Sequence, residues 1–359
     1  MKHRYGLITI MFIIILFVQP VSSFVYGEPS PEETQAILQK TLSIVEIDHE
    51  IERITERQQE LAKQHETLSA QLLQQEKEIH IQQDRAGAVV RSYYTGERDS
   101  LLMTVLGARS FKDLFVLYDY YQIIIGKDQA VLDKYQTRYN ELQRTSDQIR
   151  HTSLELADMK TNLEDQRTRV ASLQKEVDKQ ITTSGDAAAI QKLMNELTLY
   201  WENVGIYEVK RYFKALASAM QNLPDFVQKQ NGAISTTGTT YTIRIAQDEL
   251  NTFLRSQNEI FNDFAFTFDS NKITASGKRD QLQLSIEGHY TVENEPQNSI
   301  RFHVDRLVFN QLELPDTTRS MLEKEFDLGF YPQKILSFVK ATDVSTDEGV
   351  LEVKLAISF

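Results

Sequence analysis

Seven histidines and 51 acidic residues are the side chains of this chain that could hold a metal or move a proton. His80 and Asp84 have the His-x-x-x-Asp spacing, which can supply two zinc ligands. A peptidase zinc centre needs a third protein ligand, here from a His-x-His motif, and the sequence contains no such motif. Both residues fall within a long helical pattern, so we interpret the spacing as chance on a solvated helix.

Two further histidines fall in the C-terminal half of the chain. His289 and His303 lie in predicted strands. Glu287 lies two residues before His289, and Asp305 lies two residues after His303. Side chains two residues apart share one face of a strand. We interpret each pair as part of a solvated strand face and predict no metal site there.

Other kinds of chemistry lack their residues. The chain has no cysteine, which excludes a cysteine nucleophile, disulfides, thiolate metal sites and an acylated anchor. The glycine-rich phosphate-binding motifs are absent, and no acid pair flanked by aromatic residues suggests a glycosidase cleft. The sequence therefore predicts a non-enzyme with no catalytic residue, no metal and no cofactor.

The net charge of the chain limits the classes of molecule that it is expected to bind. The net charge of −12 argues against nucleic acid, whose backbone attracts Lys and Arg, and against electrostatic adhesion to anionic lipid. We assign the acidic run between residues 46 and 56 to the solvated face of a helix.

The N-terminus has the pattern of an export signal. Lys2, His3 and Arg4 precede an apolar run over residues 6–18, which is shorter than the roughly 20 residues of a membrane-spanning helix. We predict a signal peptide over residues 1–27, with an uncleaved N-terminal anchor as the alternative. Either predicts an extracytoplasmic location, secreted or anchored at the outer face of the cytoplasmic membrane.

Residues 32–183 carry two long helical patterns. Apolar residues alternate at three and four positions for more than seven heptads on the first arm and resume after residue 111, which is typical of a coiled coil. We predict an antiparallel coiled-coil hairpin, and an intermolecular coil remains open. The first seam is Ile37, Ile44, Ile47, Ile51, Ile54, Gln58, Leu61, His65, Leu68, Leu72, Gln75, Ile79, Gln82, Ala86 and Val89.

The tip of the predicted hairpin lies at residues 91–115. Thr95 and Gly96 break the first helix, a short apolar helix covers Leu101 to Leu106, and the second long helix starts at Ser110-Phe111. Segment 91–132 resembles the hairpin tip of secreted peptidoglycan hydrolases of the CwlO/PcsB type, but the chain lacks their catalytic domain. That resemblance implies an envelope partner: a transporter complex of the FtsEX type or a peptidoglycan hydrolase. It is carried by Arg91-x-x-Tyr94, Gly96, Leu101-Leu102, Ser110-Phe111-x-Asp113-Leu114 and Asp128 before Val131-Leu132.

Aromatic residues are concentrated at the tip, and two roles are open for them. Phe111, Phe115, Tyr118 and Tyr121 could pack the turn against the first arm. Alternatively, exposed apolar residues could form a docking patch, since such clusters mark partner sites. The predicted partner-binding residues are Tyr93, Tyr94, Leu101, Met103 and Phe111.

The C-terminal half follows another pattern. We predict a helical connector over residues 186–230, a turn-rich linker, and an α+β domain over residues 240–359 with a curved, mainly antiparallel sheet. The segment from Thr242 to Asn251 and the Val308-to-Pro315 run resemble the YpmS/LmeA group, which implies a fold akin to tubular lipid-binding domains. Predicted strands cover 240–245, 265–268, 273–276, 282–289, 300–309 and 350–357.

Taken together, these patterns predict a non-catalytic, exported coiled-coil adaptor or regulator linked to peptidoglycan remodelling at the cell envelope. The alternative is a membrane-proximal lipid-binding or lipid-handling protein that uses the C-terminal sheet. Exposed apolar residues at the tip would favour the first function. An unplugged apolar sheet face would favour the second.

Overall fold

The structure is a computed structural model that describes residues 30–230, 232–238, 240–279 and 282–358. Long helices come first and antiparallel sheets follow, as the sequence predicts at this coarse level. Asp48–Arg169 form one compact unit, and the other described residues form a second. The predicted signal segment lies outside the described residues.

Between residues 30 and 183 the structure has three helices: α1 (Pro31–Tyr94), α2 (Glu97–Leu106) and α3 (Phe111–Thr183). Ser30 caps α1, because its hydroxyl accepts from Glu33 N–H at 3.1 Å while the Glu33 carboxylate accepts from Ser30 N–H at 3.1 Å. Pro31 follows at the first helical position, where its missing N–H is no loss. The break at residues 95–96 and the restart after Ser110 lie where the sequence predicts them.

Within the unit Asp48–Arg169, side chains of α1 contact side chains of α3. Arg57 Nη2 lies 3.6 Å from Glu155 Oε1, and His65 Nε2 lies 3.0 Å from Ser153 Oγ. Further along, Arg138 Nη2 lies 3.7 Å from an oxygen of Glu78. Residues later in the sequence of α1 therefore contact residues earlier in the sequence of α3. Several predicted seam residues are buried here: Ile54, Leu61, Ile79, Ala86 and Val89.

The predicted connector helix is divided by a π-helical turn. Helix α4 (Ala187–Tyr200) starts at Asp186, whose carboxylate accepts from Ala189 N–H at 3.0 Å. The π-turn covers Trp201–Gly205, and α5 follows at Ile206–Lys229. A side chain at Gly205 would lie 2.4 Å from the Trp201 ring, so the turn needs glycine there.

In the described part of the chain, nine strands form two antiparallel sheets, with orders β1-β2-β9-β8 and β3-β4-β5-β6-β7. Their apolar side chains pack with those of α5, α6 (Gln247–Gln257) and α7 (Asp316–Glu325) in one core. The strands are β1 (Ile234–Thr237), β2 (Thr240–Ala246), β3 (Phe264–Asp269), β4 (Lys272–Arg279), β5 (Leu282–Glu293), β6 (Ser299–Phe309), β7 (Leu312–Glu313), β8 (Val339–Asp347) and β9 (Val350–Ile357).

Two of the strands that sequence reasoning missed have identifiable reasons. β1 falls in the segment predicted to be a turn-rich linker. The sequence does not reveal it as a strand, because its Ser and Thr side chains face solvent and show no alternation. β8 loses its alternation at a register shift between Ala341 and Asp343. In both strands the backbone pairs with a neighbouring strand, but the sequence does not show the apolar–polar alternation that predicts a strand.

Carboxamide side chains close sheet edges. Asn251 of α6 donates to the carbonyl of Phe266 and accepts from its N–H, both at 2.8 Å, at the edge strand β3. Asn298 does the same for Ala341 of edge strand β8, with bonds of 3.1 and 2.7 Å. Each amide therefore takes the place of a neighbouring strand.

The first part of α1 belongs to the unit that holds the sheets. Gln39 exchanges two hydrogen bonds with the backbone of Glu313 in β7, accepting from its N–H at 2.6 Å. The buried carboxylate of Glu46 accepts from the Trp201 indole N–H at 2.6 Å and from the Thr318 hydroxyl at 2.5 Å. Neither side chain belongs to the predicted heptad seam.

Candidate docking surface at the α1–α2–α3 turn

The turn between the long helices is built from two breaks and two restarts. Gly96 adopts the left-handed conformation with φ 76°, which glycine reaches without strain, and so ends α1. Gly107 ends α2, and its N–H donates to the carbonyl of Met103 at 3.0 Å. The Ser110 hydroxyl then accepts from Asp113 N–H at 3.1 Å and caps α3.

Four of the five predicted docking residues are exposed. The exposed fraction is 94% for Tyr94, 83% for Phe111, 68% for Met103 and 44% for Tyr93. Leu101 is half-buried. The exposure leaves these side chains free to contact another molecule, with Leu101 contributing least.

Most of the rings that could have packed the turn against the first arm are exposed instead. Phe115 and Tyr118 are exposed like Phe111, and only Tyr121 is half-buried. The exposed apolar residues of positions 90–123 are here called the tip surface. They are Val90, Tyr93, Tyr94, Leu102, Met103, Leu106, Phe111, Phe115, Val116, Tyr118, Tyr120 and Ile123.

The tip surface is a concentration of apolar residues and not a random share. It holds 12 of the 21 large apolar side chains that are exposed in the described chain. Those 12 come from a stretch of 34 residues in a chain of 359. Scattered exposed apolar residues need no explanation, but a cluster marks a contact site.

Charges around the tip surface cancel. Five basic and five acidic residues lie between positions 91 and 128, so the segment has no net charge. A neutral, apolar surface recruits partners by burial of apolar area rather than by electrostatic steering. The residues are Arg91, Arg98, Arg109, Lys112 and Lys127, with Glu97, Asp99, Asp113, Asp119 and Asp128.

One ion pair ties α2 to α3. Arg98 donates from Nε and Nη2 to the two carboxylate oxygens of Asp128, at 2.6 and 3.0 Å. Asp128 is buried, and the Tyr93 ring of α1 lies with its centroid 6.0 Å from the Arg98 guanidinium carbon. The hydrogen bond to Asp128 raises the pKa of Arg98, while partial burial and then the Asp128 charge raise the pKa of Tyr93.

Sequence reasoning noted Asp128 but not its partner. The seam of α3 runs through Ile125 and Leu132, and Asp128 stands at the position between them, three after the first and four before the second. A carboxylate at a seam position is the signal for a buried pair, because an unpaired buried charge is costly. Arg98 carries no such pattern and could be found only from the structure.

The histidines of the sheet form other pairs than the sequence suggests. His289 contacts Asp305 across two strands, with Nδ1 2.8 Å from Oδ2, and not Glu287, which pairs with Lys272. His303 contacts the Thr291 hydroxyl at 2.7 Å. In the described part of the chain, no group of three or more His, Asp or Glu side chains is arranged to hold a metal ion.

The apolar interior of the sheet unit is filled. The cavity between α5, α6 and the five-stranded sheet measures about 10 Å³, roughly the space of one water molecule. Its lining includes Met220, Leu254, Phe266 and Tyr290. A small-ligand pocket is typically 300–1,000 Å³, so this cavity does not resemble one.

None of the helices in the described residues has the length and apolarity needed to cross a membrane. Comparison of the chain with protein-family models, with curated proteins and with solved structures finds no significant match. What this chain does is therefore inferred from its own residues and geometry and from the resemblance of segment 91–132 given above.

Proposed function

We propose that this chain is a non-catalytic adaptor of the cell envelope that docks a protein partner through the tip surface. The observation that supports this function is the concentration of exposed apolar side chains at residues 90–123. The export pattern at residues 1–27 supports an extracytoplasmic location. A role in peptidoglycan remodelling follows from the resemblance of segment 91–132 to CwlO/PcsB-type tips, and the partner proposed is a transporter of the FtsEX type or a peptidoglycan hydrolase.

In this proposal α1 and α3 form an antiparallel coiled-coil hairpin within one chain. The contacts of Arg57 with Glu155 and of His65 with Ser153 support that pairing. Because the chain has no native cysteine, spin labels can be attached to new cysteines at positions 67 and 153. With labelled chains diluted in unlabelled protein, we expect a separation within about 20 Å, or two helix diameters. A separation beyond about 60 Å would leave only the intermolecular coil.

The partner is expected to offer an apolar, uncharged groove. The tip segment is neutral, so docking should depend weakly on ionic strength. Aromatic side chains such as Tyr94 and Phe111 are the residue types that carry most binding energy at interfaces. A partner that released the chain in moderate salt would contradict this chemistry.

Photo-crosslinking tests the docking directly. A photoreactive residue at position 94 or 111 should crosslink to one envelope protein in whole cells, identified by mass spectrometry. The same residue at position 154 is the control, because Leu154 is 63% exposed but lies outside the tip surface. Equal crosslinking from all three positions would refute a docking surface at the tip.

Substitutions then measure the docking energy on the identified partner. Tyr94→Asp with Met103→Asp should weaken binding about 10- to 100-fold, which corresponds to roughly 1.4–2.8 kcal/mol. Leu73→Asp with Leu154→Asp is the matched control, with exposures of 61% and 63%. Both double variants should keep the helicity and melting temperature of the parent, because all four residues are exposed.

The adaptor is proposed to have no hydrolytic activity of its own. Purified protein incubated with peptidoglycan should release no muropeptides, whereas an added peptidoglycan hydrolase serves as the positive control. Release that disappears on a point substitution in this chain would overturn the non-catalytic assignment.

The lipid-handling alternative finds no support in the sheet unit. Helices α5 and α6 cover the apolar face of the five-stranded sheet, and the cavity left there is about 10 Å³. Native mass spectrometry of the full chain should accordingly show no co-purifying lipid.

A further inference from the structure

Helix α2 depends on its neighbours for order. It has 10 residues, fewer than the roughly 12–15 that an isolated helix needs to be stable in water. Glycines flank it at positions 96 and 107, and no side chain caps its N-terminus. Gly96 has no Cβ, so its backbone can change conformation at lower cost than that of other residue types.

The packing that holds α2 is slight. Val105 is its one buried side chain, and Leu101 and Arg98 are half-buried. The remaining residues of α2 are exposed, among them Leu102, Met103 and Leu106 of the tip surface. The bidentate bond from Arg98 to Asp128 is therefore a large share of what fixes α2.

The geometry of the Arg98–Asp128 pair favours the arrangement in which α2 is held on α3. Asp128 is 6% exposed, so its carboxylate needs a partner to be tolerated there. Arg98 supplies two parallel hydrogen bonds, the strong and directional form of this interaction. Tyr93 flanks the guanidinium from α1, so side chains of all three helices meet at this point.

We propose that Arg98 and Asp128 form a latch that fixes α2 on α3 and thereby sets the arrangement of the tip surface to which the partner binds. This inference rests on the proposed docking function, and it names residues that act by position rather than by contact with the partner. When the latch is broken, α2 pivots about Gly96 and changes the position of Met103 relative to α3.

Hydrogen exchange of the full chain tests the latch without a partner. In Arg98→Ala, amides of residues 97–106 should exchange at least tenfold faster, while amides of residues 57–85 and 131–160 keep their rates. Asp128→Asn keeps the size of the side chain and removes its charge, so we expect a smaller increase confined to the same segment. Arg138→Ala is the matched control, because Arg138 makes ion pairs with Glu78 and Glu141 whose side chains are half-buried and lie outside the tip. It should leave residues 97–106 unchanged.

Two results would overturn the latch. One is unchanged exchange of residues 97–106 in Arg98→Ala. The other is an equal increase over the whole unit in both variants, which would make the pair a general contributor to folding. If Arg98→Ala does not fold, the Asp128→Asn result decides between a confined and a general increase.

The outcome also separates the latch from the docking function. With the partner identified by crosslinking, Arg98→Ala should lower its affinity about tenfold although Arg98 makes no contact with it. If exchange increases locally but the position-94 crosslink equals the position-154 control, the latch stands and the docking function fails. If crosslinking is specific to the tip but Arg98→Ala changes neither exchange nor affinity, the docking function stands and the latch fails.

Discussion

The side chain of Asn251 and the backbone of Phe266 are joined by two hydrogen bonds of 2.8 Å, one in each direction. The amide is buried, and it satisfies the N–H and the C=O that Phe266 would otherwise present at the edge of β3. Only a carboxamide offers one donor and one acceptor in this geometry. Neither alanine nor aspartate can replace both bonds.

Asn251→Ala should therefore lower the free energy of unfolding by about 1–3 kcal/mol, the cost of leaving buried polar groups unsatisfied. Urea denaturation of both proteins gives the difference. Asn222→Ala is the control, because Asn222 is an exposed amide whose side chain bonds only to Gln257 among the described contacts. It should change stability by less than about 0.5 kcal/mol.

Glu46→Gln should weaken the attachment of the start of α1 to the sheet unit. The carboxylate accepts from both Trp201 and Thr318. Glutamine could still accept from the indole and donate to the Thr318 hydroxyl, but both hydrogen bonds would lose the carboxylate charge. We expect a loss of about 1.5–3 kcal/mol, typical of hydrogen bonds to a charged group. Trp201 is the only tryptophan, so its emission reports on this contact, and a red shift is expected. Unchanged emission and stability would show that the second oxygen matters little.

Two glycine substitutions should have opposite signs. In Gly205→Ala the new Cβ would lie 2.4 Å from Trp201 Cε3 and 3.2 Å from a ring carbon of Phe309, so we expect a destabilisation of about 1–3 kcal/mol. Gly126→Ala adds a Cβ with no atom within 4 Å in the middle of α3, which should stabilise by about 0.5–1 kcal/mol. Thermal denaturation distinguishes them. A loss of stability in both would place another constraint on position 126.

Lowering the pH should remove the contribution that ionised Glu287 makes to the stability of the fold. The hydrogen bond from Lys272, at 2.8 Å, is the main cause that holds the pKa of Glu287 below its ordinary value of 4.5, and Arg306 adds to it. A carboxyl group with a lowered folded-state pKa stabilises the fold above its unfolded pKa and loses that effect as the pH falls. The melting temperature of the parent should thus exceed that of Glu287→Gln at pH 7, and the gap should close below pH 4.5. Parallel curves down to low pH would contradict the shift.

Much of this fold follows from local patterns. Heptad spacing predicts the long helices, Thr95 and Gly96 predict the break, and Ser110 predicts the restart, because caps and periodicity act over a few residues. Alternation in the same way predicts β2 to β6 and β9, where one face is buried.

What the sequence does not reveal depends on partners far along the chain. Gln39 bonds to Glu313 over a separation of 274 residues, and Glu46 bonds to Thr318 over 272. Nothing near either residue signals such a partner. The π-turn at Trp201 is likewise set by the fit of one ring against Gly205 and Phe309. At the tip, the sequence locates the rings but leaves open which of them are exposed, and the role of Arg98 depends on the position of Asp128 in three dimensions.

The amide that closes β3 also bears on solubility. β3 reads Phe-Ala-Phe-Thr-Phe-Asp, and its three phenylalanines are buried on one face while the alternate residues are exposed. A short strand of this composition at an open edge is a template on which other copies can add and grow into cross-β aggregates. Because Asn251 occupies both backbone groups of Phe266, it acts as a gatekeeper against that assembly as well as a contributor to folding. Loss of this amide would free the N–H and C=O of Phe266 for pairing with another copy, whereas those of Phe268 would stay bonded to Gln247 and Gly349.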